Sequence, residues 1–388
     1  RQRWEQARDG EMRSVLMIGE AGIGKSRVVH AFREALADQS HQVASWYCSS
    51  YHSTSAFFPV IAWLYRALGL DAQGEPAIAT RKLEEAARSL EIDDPGAVTV
   101  LASMLHLTDD ETAGQESALI FRRRLLDVLS EVICAMARRQ ALVVIVEDAH
   151  WADPSTLDLL RELQERLSGS RLLLLITARP EFRPAWNYPQ FVQVNLDRLS
   201  RRERQTMIEQ LTGGKALPDF VLEQIVARTD GVPLFVEELT KTVLEANVWR
   251  DAGRYFELQG PFQDVAIPDS LQGSLLSRLD RLAPATREIA QIGATIGREF
   301  DRALLSVIAG QPDELLDGSL DELIAAEIIR PVWLPASGGK AFAFRHALIQ
   351  DAAYQSLLLA RRRQFHAAIA EALVCHFADI VTAQPELA

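Results

Sequence analysis

The stretch "GEAGIGKSR", Gly19 to Arg27, places three glycines beside a lysine and a serine. Gly19, Gly24, Lys25 and Ser26 fill the pattern G-x-x-x-x-G-K-[ST], with Gly22 as a third glycine. Each residue type has a chemical reason to be there. Glycines let backbone N–H groups turn inward around an anion, at φ values other residues disfavour. A helix starting at the loop adds its positive N-terminal end. Lys25 is suited to the β- and γ-phosphates of a nucleotide, and Ser26 offers a hydroxyl to Mg²⁺. Ile23 and Arg27 lie in the same candidate cradle. The plain alternative is a glycine turn with a surface lysine. Against it, the apolar run "SVLMI" precedes the loop and helically spaced Val28, Val29, Phe32 and Leu36 follow it.

A second cluster stands in "ALVVIVEDAHWAD", where Glu147 and Asp148 close an apolar run. In a doubly wound sheet, ligands bind at the carboxyl ends of the strands. A phosphate-loop enzyme needs one carboxylate there for the metal shell and often a second to polarise water. Glu147 is the first acid, where Asp is commoner. Asp148 is the candidate for the water, and both are candidates for the metal, with Ser26. Asp153 is suited to cap the helix that follows. A third strand end, "LLLLITARPEF", presents Thr177 and Arg179. Arg179 could meet a γ-phosphate through a charge-assisted bond; the bland reading is a solvated loop arginine.

These residues need strands and helices to hold them. Apolar runs at 14–18, 43–48, 141–146, 172–177 and 191–196 alternate with helical patterns over the first 200 residues. Such alternation predicts an α/β fold with a five-stranded parallel sheet covered on both faces. Beyond residue 200 the strand signals fade. Helices are expected over 200–211, 219–229 and 233–247, and a Gly-, Pro- and Asp-rich linker over 251–268. Further helices and the pair "IIRPVWL" and "AFAFRH", joined by "PASGGK", predict a winged helix. The expected domains are therefore 1–198, a helical lid at 199–250, the linker, and a winged helix at 269–380.

The bulk properties narrow the partners. The chain has 388 residues and a net charge of −12. That charge argues against general affinity for nucleic acid or anionic membranes. Residues 265–380 hold 11 basic and 14 acidic side chains, so the winged helix lacks the basic face of a DNA reader. Cys48, Cys134 and Cys375 fit no metal spacing and read as reduced thiols. No apolar run nears the roughly 20 residues of a membrane span. The expectation is a soluble cytoplasmic protein.

The motif series "GEAGIGKSR", "VEDAHWADPSTLDLL", "LITARPEF", "RTDGVPLFVEELT", "RLDRL", "IGREF" and "FRHALIQDAAYQSLL" occurs in that order. It resembles the AAA-related ATPase module of bacterial STAND (signal-transduction ATPase) proteins. The likeness is strongest to the module in large class III adenylate or guanylate cyclases and LuxR-type regulators. The resemblance implies a P-loop NTPase with a helical lid and winged helix, binding ATP or ADP with Mg²⁺ and hydrolysing slowly. It implies an attached output domain, C-terminal helical repeats and a nucleotide-dependent homo-oligomer. No cyclase signature stands in this chain. It further implies that Pro233, in "DGVP", lies against the base, although a proline opening a helix needs no ligand. His346, before "ALIQDAAY", resembles the histidine of the M-H-D region that contacts the ADP β-phosphate; here Ala347 replaces the aspartate. The bland reading is a histidine packing the strand–helix junction. Glu237 and Glu238 read as solvated charges, and Arg122 to Arg124 as candidate arginine fingers. A DNA-associated AAA-type regulator is the alternative, and a non-hydrolysing ATP-bound scaffold a third.

Overall fold

The computed structural model describes residues 1–49, 52–70, 76–92, 94, 96–107, 118–184, 186, 188–245, 249–259, 270–332 and 340–376. A short helix α1 (Gln2–Arg8) leads into β1 (Arg13–Ile18), the glycine loop and α2 (Lys25–Ala35). Next come β2 (Gln42–Tyr47), α3 (Phe58–Leu68), α4 (Pro76–Ser89), α5 (Ala97–Met104) and the long α6 (Ala118–Arg139). Then β3 (Leu142–Glu147), α7 (Pro154–Arg166), β4 (Leu172–Ala178) and β5 (Phe191–Asn195) complete the first unit. The five strands are all parallel, in the order β2-β3-β4-β1-β5. The strand ending in Thr177 and Arg179 thus lies between the glycine-loop strand and the acidic strand.

Period two explains how both faces are covered. Leu142, Val144 and Val146 of β3 join Leu172, Leu174 and Ile176 of β4 on one face, under α3, α5, α6 and α7. Val143, Ile145, Leu173 and Leu175 point the other way, onto Trp4 of α1 and Val29 of α2. All six positions of β3 except Glu147 are buried. The sequence pattern placed Val28 on the apolar face of α2, but it is exposed, and Lys25 and Val29 are the buried residues.

Three helices follow: α8 (Arg201–Leu211), α9 (Asp219–Arg228) and α10 (Pro233–Leu244). Ser200 and Glu203 form a reciprocal cap at the start of α8. The helices share a core of Ile208, Val221, Ile225, Phe235 and Leu239. The segment expected to be a linker opens differently: β6 (Trp249–Asp251) and β7 (Phe256–Leu258) form an antiparallel hairpin. Trp249 and Phe256 meet edge to face with centroids 6.5 Å apart, which fixes the pair onto the helical unit. Residues 260–268 of that expected linker lie outside the described residues.

The last unit holds α11 (Leu271–Asp280), α12 (Pro284–Ile296), β8 (Glu299–Asp301), α13 (Arg302–Ala309), α14 (Asp313–Ala325), β9 (Ile329–Val332), β10 (Ala341–Phe344), α15 (Ala347–Gln355) and α16 (Leu359–His376). Its strands form an antiparallel sheet in the order β8-β10-β9. The joining segment "PASGGK" falls on residues outside the description except Lys340, as do residues beyond 376. No described helix is long and apolar enough to cross a membrane.

One correction concerns the charges between these units. Glu238 is buried at 2% exposure, and its partner is Arg278 of α11. Glu237 pairs with Lys241, which also binds Glu327. Glu327 further accepts Arg345 at 2.7 Å, and these cations pull its carboxyl down to about 2. Helical spacing alone could not show that this face of α10 is covered by α11. Removing one partner of a buried pair strands the other charge, so Arg278→Met should cost about 3 kcal/mol in urea denaturation. Adding Glu238→Gln should recover part of that loss. An unchanged midpoint in Arg278→Met would show that the pair carries no such weight.

Candidate active site at the carboxyl ends of the sheet

The glycine loop joins β1 to α2 as the pattern required. Gly22 and Gly24 have φ of 78° and 97°, a region costly to residues with a Cβ. Lys25, 8% exposed, donates from Nζ to the carbonyl oxygens of Gly19 at 2.8 Å and Glu20 at 3.0 Å. Burial pulls its pKa down, while Asp148 opposes that shift. A buried ammonium resting on two neutral carbonyls suits a cradle for an anion. Ile23 is buried, whereas Arg27 lies on the exposed side of α2.

Ser26 Oγ donates to Glu147 Oε2 at 2.7 Å, across 121 residues of sequence. A hydroxyl beside a carboxylate is an all-oxygen donor pair, the chemistry that suits Mg²⁺. Asp148 follows with left-handed φ and ψ of 57° and 44°. Its N–H donates to Thr177 Oγ1 at 3.0 Å, which links the ends of β3 and β4. Its carboxylate leaves the sheet and accepts Arg298 Nη1 at 3.1 Å. Asp153 caps α7 through Ser155 and Thr156 and also accepts the N–H of Phe57 at 3.0 Å.

Arg179 sits 4.9 Å from the Trp151 ring centroid and acts electrostatically on Lys25, His150 and Asp351. It belongs to the charge cluster and is no isolated loop arginine. Pro233 opens α10, and the next residue ties this segment to the loop: Leu234 N–H donates to Gly22 O at 3.2 Å. A Cβ on Gly22 would lie 3.2 Å from both Val232 and Leu234. His346 precedes α15 and makes no side-chain cap; burial lowers its pKa, opposed by Glu237. Arg122 and Arg123 lie away from this cluster, on ion pairs with Asp158 and Glu162 of α7.

Two residues were passed over in the sequence. Arg198 chelates Glu20 of the glycine loop at 2.9 Å and 3.1 Å and also pairs with Asp230 of "DGVP". Arg298, inside "IGREF", reaches Asp148 from the last unit. Its presence in the motif series was the available signal.

His150 adds a titratable group. Both ring nitrogens are buried without a hydrogen-bond partner, and the ring leans on Trp151 at 4.3 Å. Burial, with Arg179 and Lys25, pushes its pKa from 6.5 down to about 4 against the pull of Asp148. The unfolded chain therefore takes up a proton that the folded chain resists. Stability should fall as pH drops from 6.5 towards about 4. His150→Asn should flatten this slope in urea midpoints measured across that window; an unchanged slope would contradict the assignment.

Comparison with known proteins agrees with this geometry. Residues 1–176 match the family described as AAA ATPase domain. An uncharacterized protein of Rhizobium meliloti (strain 1021) is 29% identical over 377 residues, covering 94% of this chain and 35% of that protein. The chain thus spans about a third of that curated relative. A solved STAND protein with a tetratricopeptide repeat sensor, from Pyrococcus horikoshii, is similar over 100% of this chain and 52% of its own, at 13% identity and TM-score 0.53. Drosophila ORC bound to DNA, at 10% identity and TM-score 0.38, is too distant to bear on function. Taken together, residues 1–176 match the AAA ATPase domain family, and the chain shares the fold of the solved STAND protein.

Proposed function

We propose that this chain is an ATP/ADP switch that hydrolyses ATP slowly, with Mg²⁺, and passes its state to an output domain of a larger protein. The observation that carries this reading is the Ser26–Glu147 hydrogen bond of 2.7 Å beside the buried Lys25. Gly19, Gly22, Ile23, Gly24 and Lys25 would hold the phosphates. Ser26 and Glu147 would hold Mg²⁺, which supplies charge to the β- and γ-phosphates. Asp148 would orient the attacking water. In that step water bonds to the γ-phosphorus and the bond to the β,γ-bridging oxygen breaks. The electron pair leaves with ADP, and the water proton passes to solvent. Arg179 would bind the γ-phosphate, and Pro233, beside the Leu234 that contacts the loop, would lie against the base.

The last unit has the order helix, strand, helix, helix, strand, strand over α12 to β10, which supports a winged-helix reading. We read it as an intramolecular clamp. Of its arginine cluster, Arg361 pairs with Glu288, and Arg362 stacks on Tyr354. Those engagements favour packing over a DNA contact. His346 belongs to the same clamp, where ADP would hold the units together and ATP would release them for assembly. With Cys48 and Cys134 as free thiols, the cytoplasm is the compartment that fits. An adenylate or guanylate cyclase or a transcription regulator would be the attached output.

Calorimetry and turnover test the assignment together. Lys25→Ala should weaken MgATP binding by about 2 kcal/mol or more, the scale of a charged hydrogen bond. Asp148→Asn should slow hydrolysis while MgATP stays bound, and Glu147→Gln should weaken the Mg²⁺-dependent affinity more. Parent-like affinity in Lys25→Ala would refute the loop assignment. Loss of turnover without loss of affinity in Glu147→Gln would exchange the two acidic roles.

A further inference from the structure

We propose that Arg298 is a positioning residue that restrains hydrolysis by occupying the carboxylate of Asp148. The inference rests on the ATPase reading above and names how that site is held in check. Both ends of the contact are anchored. Arg298 stands directly before β8, and its carbonyl accepts the N–H of Phe344 at 2.9 Å. Two residues on, Phe300 is 1% exposed, and a Cβ on Gly293 would lie 3.0 Å from its ring. The backbone of Arg298 is therefore fixed by the sheet and core of the last unit. On the other side, Asp148 is held by its left-handed backbone and by Thr177.

Between these anchors the guanidinium reaches Asp148 Oδ2 at 3.1 Å, with side chains 29% and 17% exposed. The charges around it come from every unit. Asp351 of α15 feels both Arg298 and Arg179, and His346 feels Arg298, Arg345, Glu237 and Lys241. A carboxylate that orients water must offer a lone pair to a water proton. An oxygen already shared with a guanidinium is a weaker acceptor, and its charge is offset. Because the two anchors lie in different units, freeing Asp148 requires Arg298 to rotate away or the last unit to move. The contact thus couples the placement of that unit to the reactivity of the site.

The test compares the parent chain with Arg298→Ala and Arg298→Lys in MgATP binding, in single-turnover and in steady-state hydrolysis. Arg298→Ala should raise kcat about tenfold with KM little changed, the factor that one charged hydrogen bond commands. Arg298→Lys keeps a cation at the position and should stay near the parent rate. Should Arg298→Ala not fold, Arg298→Met, which keeps the apolar stem, carries the same expectation. A rate that falls or stays level while MgATP still binds would overturn the restraint. So would a lysine variant as fast as the alanine variant. Absence of turnover in the parent and in every variant would instead overturn the ATPase reading beneath it.

Discussion

A carboxylate at the end of β3 and a guanidinium at the start of β8 lie 3.1 Å apart, and 150 residues separate them in sequence. Around this pair stand Lys25, His150, Arg179, His346 and Asp351, each shifted from its ordinary behaviour or acting on a neighbour. A parallel sheet creates the condition for this. Its strands end together, and its buried interior leaves charged residues only one place to gather. Charge placed there must be balanced by whatever covers it. The glycine loop, the helical unit and the last unit all contribute to that balance.

The arrangement distributes its constraints unevenly. Within the first unit, the site is built on alternating apolar strands whose two faces are both covered, so its backbone is fixed by burial. Between units, polar contacts predominate at the site: Arg198 to Glu20 and Asp230, Lys241 to Glu327, and Arg298 to Asp148. The exposed Arg198 pairs contribute little each and weaken with salt, whereas Arg298 and Asp148 are partly buried. The buried Arg278–Glu238 pair is different, because neither partner can be exposed without moving α11 from α10. That contrast suits a device whose parts are individually firm and whose relative placement responds to a ligand.

Much of the first unit was legible in the sequence because its signals are local. The apolar runs of β3 and β4, the loop at Gly19 to Ser26 and the cap at Asp153 each read correctly from neighbouring residues. What escaped was non-local. Glu238 looked solvated because its cover comes from Arg278, forty residues on. Arg298 lay in a quoted motif, but nothing in its spacing pointed to Asp148. The hairpin of β6 and β7 was hidden by Asp251 and Gly253 at the turn of two very short strands, which resemble a linker in composition. Residues 260–268 of that expected linker lie outside the described part of the chain.

Under the proposed switch, nucleotide state would set how the last unit sits on the candidate site. The most direct measurement is the distance between spin labels at Asp38, exposed just after α2, and Glu314, exposed on α14, by pulsed dipolar spectroscopy. With MgADP, the distribution should be narrow and match the arrangement that joins Arg298 to Asp148. With a non-hydrolysable ATP analogue it should lengthen and broaden. An identical distribution with both nucleotides, each shown to be bound, would contradict the account.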